Sequence, residues 1–150
     1  MGTFTVETFI ARPPEEVFAY LRDIANEAKW QSEHVSEVIV EPPGPARVGT
    51  LFHKARRTPF GEIRFTVKIM EMDETARRWA DITMTGVTRG TMGSWQILSA
   101  EGGSTVRLTV EMRANGLWRL LLPLITPGAE KDLRAEFANL KKMLESAPQT

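Results

Sequence analysis

The chain has 150 residues, 42% of them hydrophobic and 25% charged, with 19 basic side chains against 19 acidic ones. A chain of this length removes roughly 70% of its unfolded surface from water and needs no cross-link to hold a core; the absence of cysteine excludes thiol catalysis, thiolate metal sites and disulfide scaffolds. A formal charge of zero offers no positive field to a polyanion, which argues against nucleic acid as a partner.

The first residues alternate polar and apolar through Phe4, Val6 and Ile10 and lack the basic start and apolar run of a signal peptide, which points to a cytoplasmic protein. Thr3 to Ile10 reads as a strand. Pro13-Pro14-Glu15-Glu16 then pre-sets φ for a helix start and places acids at its positive end, with Val17, Phe18 and Leu21 on one face. A second short helix is predicted from Asp23, as N-cap, to about Lys29.

From Val35 the period changes to two. Strands are predicted near residues 35–41, 47–57, 62–72, 77–85, 91–100 and 104–113, with Pro42-Pro43-Gly44-Pro45, Pro59-Phe60-Gly61, Asp73-Glu74, Gly86 and Glu101-Gly102-Gly103 as connections. Ile63, Phe65, Val67 and Ile69 oppose Glu62, Arg64, Thr66 and Lys68, so one face is covered and the other wet; Val106, Leu108, Val110 and Met112 repeat the pattern. Residues 47–57 phase equally well with Leu51-His53-Ala55 or with Thr50-Phe52-Lys54 inward. The cover is a helix predicted after Thr126-Pro127-Gly128, Thr126 acting as N-cap. Its apolar stripe is Leu133, Phe137, Leu140 and Leu144, while Lys131, Arg134, Glu136, Lys141, Lys142 and Glu145 are assigned to water. Composition does not shift along the chain, so residues 1–150 are read as a single α+β domain.

In this order the sequence resembles the START-like superfamily (SRPBCC), in its group of polyketide cyclases, dehydrases and lipid-transport proteins. The residues that carry the resemblance are Ile10-Ala11-Arg12-Pro13-Pro14-Glu15-Glu16-Val17-Phe18 with Asp23 and Trp30, then Val48-Gly49-Thr50, Gly102-Gly103-Ser104-Thr105-Val106 and Leu140-Lys141-Lys142-Met143-Leu144-Glu145. The resemblance implies a helix-grip fold: a curved antiparallel sheet of about seven strands wrapped around a long C-terminal helix, with two short helices after the first strand and a cavity between sheet and helix. It also implies a small hydrophobic guest, carried or transformed.

For the guest, the aromatic and apolar residues Trp30, Phe65, Met84, Trp95, Leu117, Leu121 and Leu124 are the candidate ligand-binding set. Met70, Met84, Met92 and Met112 offer an adaptable wall. Residues 117–125 carry too many apolar side chains for one helical stripe; they read as a gate at the cavity mouth together with Trp30, as buried first turns of the last helix kinked at Pro123, or as an exposed patch. The run Leu120 to Ile125 is far shorter than the ~20 residues that span a bilayer, so stable membrane insertion is not expected.

Chemistry has few candidates. His34 and His53 lack metal-ligand spacing, no serine lies in a nucleophile-elbow context, and no glycine-rich loop opens a helix, so neither metal nor cofactor is expected. Metal-free acid–base catalysis would use Glu33 or His34 as base and His53 or Arg57 as donor. Asp81 and Arg89 are further polar candidates, though they read first as a solvent-side strand residue and a loop residue. The leading expectation is a protein that binds or transports a small hydrophobic ligand, as a monomer or homodimer. A polyketide aromatase/cyclase or dehydratase, and a protein-interaction module, are the alternatives.

Overall fold

Period-two stretches become strands and the period-3.6 stripe becomes the long helix. A computed structural model describes residues 2–147. Among them are seven strands: β1 (Gly2–Ile10), β2 (Val35–Glu41), β3 (Leu51–Thr58), β4 (Gly61–Asp73), β5 (Arg78–Thr83), β6 (Met92–Ala100) and β7 (Gly103–Met112). All pair antiparallel in the order β1-β7-β6-β5-β4-β3-β2, a meander from β2 to β7 with β1 added to its far edge. Between β1 and β2 lie α1 (Pro14–Arg22), a 3-10 turn (Ile24–Asn26) and α2 (Glu27–Trp30). The chain ends in a 3-10 helix (Gly116–Leu121) that runs into α3 (Leu122–Ser146).

The inner face of the sheet is apolar because alternate residues point to it. Phe4, Val6 and Ile10 of β1, Val67 and Ile69 of β4, and Val106, Leu108 and Met112 of β7 are buried. Leu133, Phe137, Leu140 and Leu144 of α3 are buried opposite them, as the stripe predicts. Register shifts between Val35 and Glu37 and between Ile69 and Glu71 mark bulges, where a strand bends and twists more strongly.

α3 begins earlier than the sequence suggests, at Leu122 with Pro123 in its first turn, and Pro127 lies inside it. A proline at that place withholds one N–H from the ladder. Pro123 and Pro127 are both exposed, so the carbonyl left over is solvated, and Thr126 Oγ1 donates to the Leu122 carbonyl at 2.8 Å. The other end of α3 is tied down by Arg12, only 9% exposed. Its guanidinium donates to the carbonyls of Leu144 at 3.0 Å and Glu145 at 3.1 Å, and to that of Ala147. A cation on the last helical carbonyls satisfies orphan acceptors and opposes the negative end of the dipole.

Aromatic side chains fill one part of the hollow between sheet and helix. Trp79 and Trp95, opposite each other on β5 and β6, stack at 5.2 Å with 9° between planes. Trp30 meets Trp95 edge-on at 6.0 Å, and Phe137 meets both at 5.9 and 5.8 Å. Trp30 is therefore core.

Candidate functional site

The rest of the hollow is a cavity of about 200 Å3. Six of the seven strands reach it, from Phe4 on β1 across to Phe52, Lys54 and Arg56 on β3, and Ala129, Leu133 and Glu136 of α3 close it from the other side. From β1 to β3 in sheet order are five spacings, which laid flat would span roughly 24 Å. For both to line one small hole the sheet must curl around the helix. Most of the wall is apolar, with Phe65 and Val67 from β4, Met92 and Trp95 from β6, and Leu108, Val110 and Met112 from β7.

One side of the wall is charged, and its phase resolves the ambiguity of β3. Phe52, Lys54 and Arg56 point inward, while His53 points out, hydrogen-bonded to Thr66 Oγ1 at 2.7 Å and 3.3 Å from Glu41. Lys54 donates to Glu27 Oε1 and Gln31 Oε1, both at 2.8 Å. Arg56 pairs with Glu136 at 3.0 Å and lies 3.7 Å from Asp132, one turn earlier on α3. Burying a cation is tolerable when a carboxylate and further hydrogen bonds accompany it, and each of these two cations has a carboxylate partner. Glu136, assigned to water by the helix stripe, is instead 3% exposed, because Arg56 compensates its charge and His34 hydrogen-bonds it.

Asp81 is the second correction. It shares its strand face with Trp79 and Thr83 and lines the cavity, rather than facing solvent. Room for its carboxylate comes from Gly93, directly across the β5–β6 ladder; a Cβ at position 93 would lie 2.8 Å from Asp81 Oδ1. Among the described residues Asp81 makes no ion pair, whereas Glu27 and Glu136 each hold one. Desolvation, followed by the nearby Glu27 charge, pushes its pKa up to about 7, against the opposing pull of Lys54, the Gly93 N–H and the Trp95 indole N–H.

The four catalytic candidates from the sequence fall outside this cavity wall. Glu33 is exposed, and its carbonyl, with that of Ser32, accepts hydrogen bonds from Arg57 at 3.2 and 2.9 Å; Arg57 thus staples a turn. His34 hydrogen-bonds Glu136 at 2.7 Å and lies 3.5 Å from Asp132, behind the wall. His53 is on the outer face. Of the ligand-binding candidates, Phe65 and Trp95 line the cavity, Trp30 packs behind it, and Met84, Leu117, Leu121 and Leu124 stand outside. Leu117, Leu120 and Leu124 are 80%, 76% and 78% exposed, and Trp118 meets Phe60 of the β3–β4 turn at 5.7 Å. Residues 117–124 thus form an exposed apolar ridge, in which only Leu122 is buried. Met92 and Met112 lie in the wall; Met70 and Met84 are on the surface.

The residues missed from sequence are Glu27, Gln31, Lys54, Arg56 and Glu136; Asp81 is a further candidate from the sequence, but one assigned to the solvent side of its strand. A signal existed for Asp81: it has the same strand parity as Trp79, which a sheet buries.

Residues 1–145 match the family described as polyketide cyclase / dehydrase and lipid transport. No curated protein matches the sequence. Among solved structures, TTHA0849 from Thermus thermophilus is similar over 98% of this chain and 99% of its own, at 20% identity and a TM-score of 0.84. A START superfamily protein from Mycobacterium smegmatis is similar over 97% and 98%, at 9% identity and a TM-score of 0.77. The major latex-like protein 151 of Panax ginseng is similar over 98% of each chain, at 11% identity and a TM-score of 0.75. At such identities the likeness is one of fold.

Proposed function

The chain belongs to the polyketide cyclase / dehydrase and lipid-transport family, and from that premise we propose that it binds one compact hydrophobic molecule in the cavity between its sheet and α3. The observation that carries this reading is the cavity itself, about 200 Å3 with a largely apolar wall and a charged side whose cations are already paired. Size narrows the guest. An apolar hole of about 150 Å3 accepts benzene, and pockets for drug-sized ligands run to ~300–1,000 Å3. This cavity suits one or two rings, and a diacyl lipid is too large for it.

The test is calorimetric titration with indane, a compact bicyclic hydrocarbon. The protein binds it, and Val110→Trp, which fills the cavity from a half-buried wall position, abolishes binding while thermal melting shows the variant folded. Equal binding by both proteins contradicts the reading.

A second reading, acid–base catalysis of the cyclase or dehydratase kind, is favoured by one observation: Asp81 in the wall has a pKa of about 7, suited to gaining and losing a proton at neutral pH. A ring closure also needs a donor for the developing oxyanion, and Lys54 has three N–H donors of which two are committed. In this reading Asp81 and Lys54, not the two histidines, hold the reacting groups.

A further inference from the structure

We propose that the cavity selects a guest bearing a carbonyl oxygen, which accepts a hydrogen bond from the protonated carboxyl of Asp81, so that binding takes up a proton. The proposal rests on the ligand-binding reading above and adds the chemistry of the head group.

The ionisable groups in the cavity wall are Glu27 on α2, Lys54 and Arg56 on β3, Asp81 on β5 and Glu136 on α3. Lys54 is neutralised by Glu27 at 2.8 Å and Arg56 by Glu136 at 3.0 Å. Asp81 is left without an ion pair among the described residues, Lys54 acting on it only from beyond pairing distance. Asp81 is half-buried in the wall; a carboxylate drawn partly out of water with no ion-pair partner is costly, and the cost is removed by protonation. The same desolvation, which raises this pKa to about 7, keeps a large share of Asp81 neutral at neutral pH. A neutral carboxyl has an O–H donor, and no side-chain hydrogen bond within the described residues uses it. Gly93, by leaving open the space across the ladder, gives the group room. A carbonyl satisfies that donor without bringing charge.

With Lys54 and Arg56 neutralised by their carboxylates and Asp81 protonated, the wall carries no net charge, so a cationic guest gains a partner there only where Asp81 ionises. A pure hydrocarbon leaves the Asp81 donor unmet, and an unmet buried donor carries a desolvation cost. The third N–H of Lys54 adds a second donor on the same side.

The experiment compares indane, 1-indanone and 1-aminoindane, which share one skeleton, by titration at pH 5.5 and 8.5. The expected result is that 1-indanone binds about tenfold more tightly than indane at pH 5.5, where Asp81 already holds its proton, and loses that preference at pH 8.5; a further titration just above the Asp81 pKa of about 7 shows net proton uptake as a dependence of heat on buffer ionisation enthalpy. Asp81→Asn, whose amide N–H still donates, keeps the preference and loses its pH dependence; Asp81→Leu loses the preference at both pH values while still binding indane. His34→Gln keeps the full pH dependence, since that imidazole touches Glu136 from behind the wall. Equal affinity for indane and 1-indanone at pH 5.5, or a preference indifferent to pH, overturns the proposal. So does tightest binding of 1-aminoindane with affinity rising with pH, which assigns a cation site. Failure of all three compounds to bind at either pH refutes the ligand-binding reading, and the head-group proposal falls with it.

Discussion

Asp81 and Gly93 face each other across the β5–β6 ladder, and the carboxylate of one occupies the space that a side chain on the other would take. Gly93→Ala should therefore cost about 1–2 kcal/mol in denaturant unfolding, an overpacking penalty set against the ordinary gain of alanine over glycine in a strand. In an Asp81→Ala background the crowding is gone and only the gain remains, so the same substitution becomes neutral or stabilising. A double-mutant cycle reads the sign change directly.

The raised pKa of Asp81 makes stability depend on pH. The folded value of about 7 lies above the ordinary 3.8, so between them the folded protein holds a proton that the unfolded chain has released. The stabilisation from this group is fully present below about pH 3.8 and is lost progressively as pH rises from there through about 7. Thermal melts of Asp81→Asn against the parent should show the variant gaining relative stability from pH 5 to pH 8.5. A constant difference contradicts the assignment.

Phe137 is 1% exposed and touches the rings of both Trp30 and Trp95. Truncation to alanine leaves a hole that the neighbouring indoles are too rigid to fill, and a loss of about 3–5 kcal/mol is expected by chemical denaturation. The exposed ridge gives the contrast. Leu117→Ser and Leu124→Ser should stay within about 0.5 kcal/mol of the parent.

Glu136 joins Arg56 and His34, and removing it leaves a largely buried cation with only the longer contact to Asp132 at 3.7 Å. Glu136→Ala should cost about 2–3 kcal/mol. His34→Ala removes one hydrogen bond from a carboxylate that keeps Arg56, and about 1 kcal/mol is expected. Near-equal losses in urea unfolding would mean that the imidazole, not the guanidinium, holds Glu136 in place.

Strand positions and the α3 stripe were legible in the sequence because apolar periodicity records which face is covered. Phe65-Val67-Ile69 and Leu133-Phe137-Leu140-Leu144 carry that record without interruption. The charged side of the cavity was not legible, since it violates that same record. Lys54, Arg56 and Glu136 lie inward only because each meets a countercharge far away in sequence, and nothing local announces such pairs: Lys54 meets Glu27, and Glu136 meets Arg56. The start of α3 was misplaced for a related reason. Thr126-Pro127-Gly128 looks like a helix start, but an exposed first stretch lets water serve the carbonyl that Pro127 abandons, and the helix tolerates it.

The most direct test of the binding site is a methyl-resolved NMR titration with 1-indanone at pH 5.5, with intermolecular contacts assigned. Contacts from the guest to Val67, Leu108, Met92 and Met112 are predicted, the methyls of Leu117, Leu120 and Leu124 staying unperturbed. Contacts confined to those three leucines, or to no methyl of the inner wall, would contradict a guest held between the sheet and its helix.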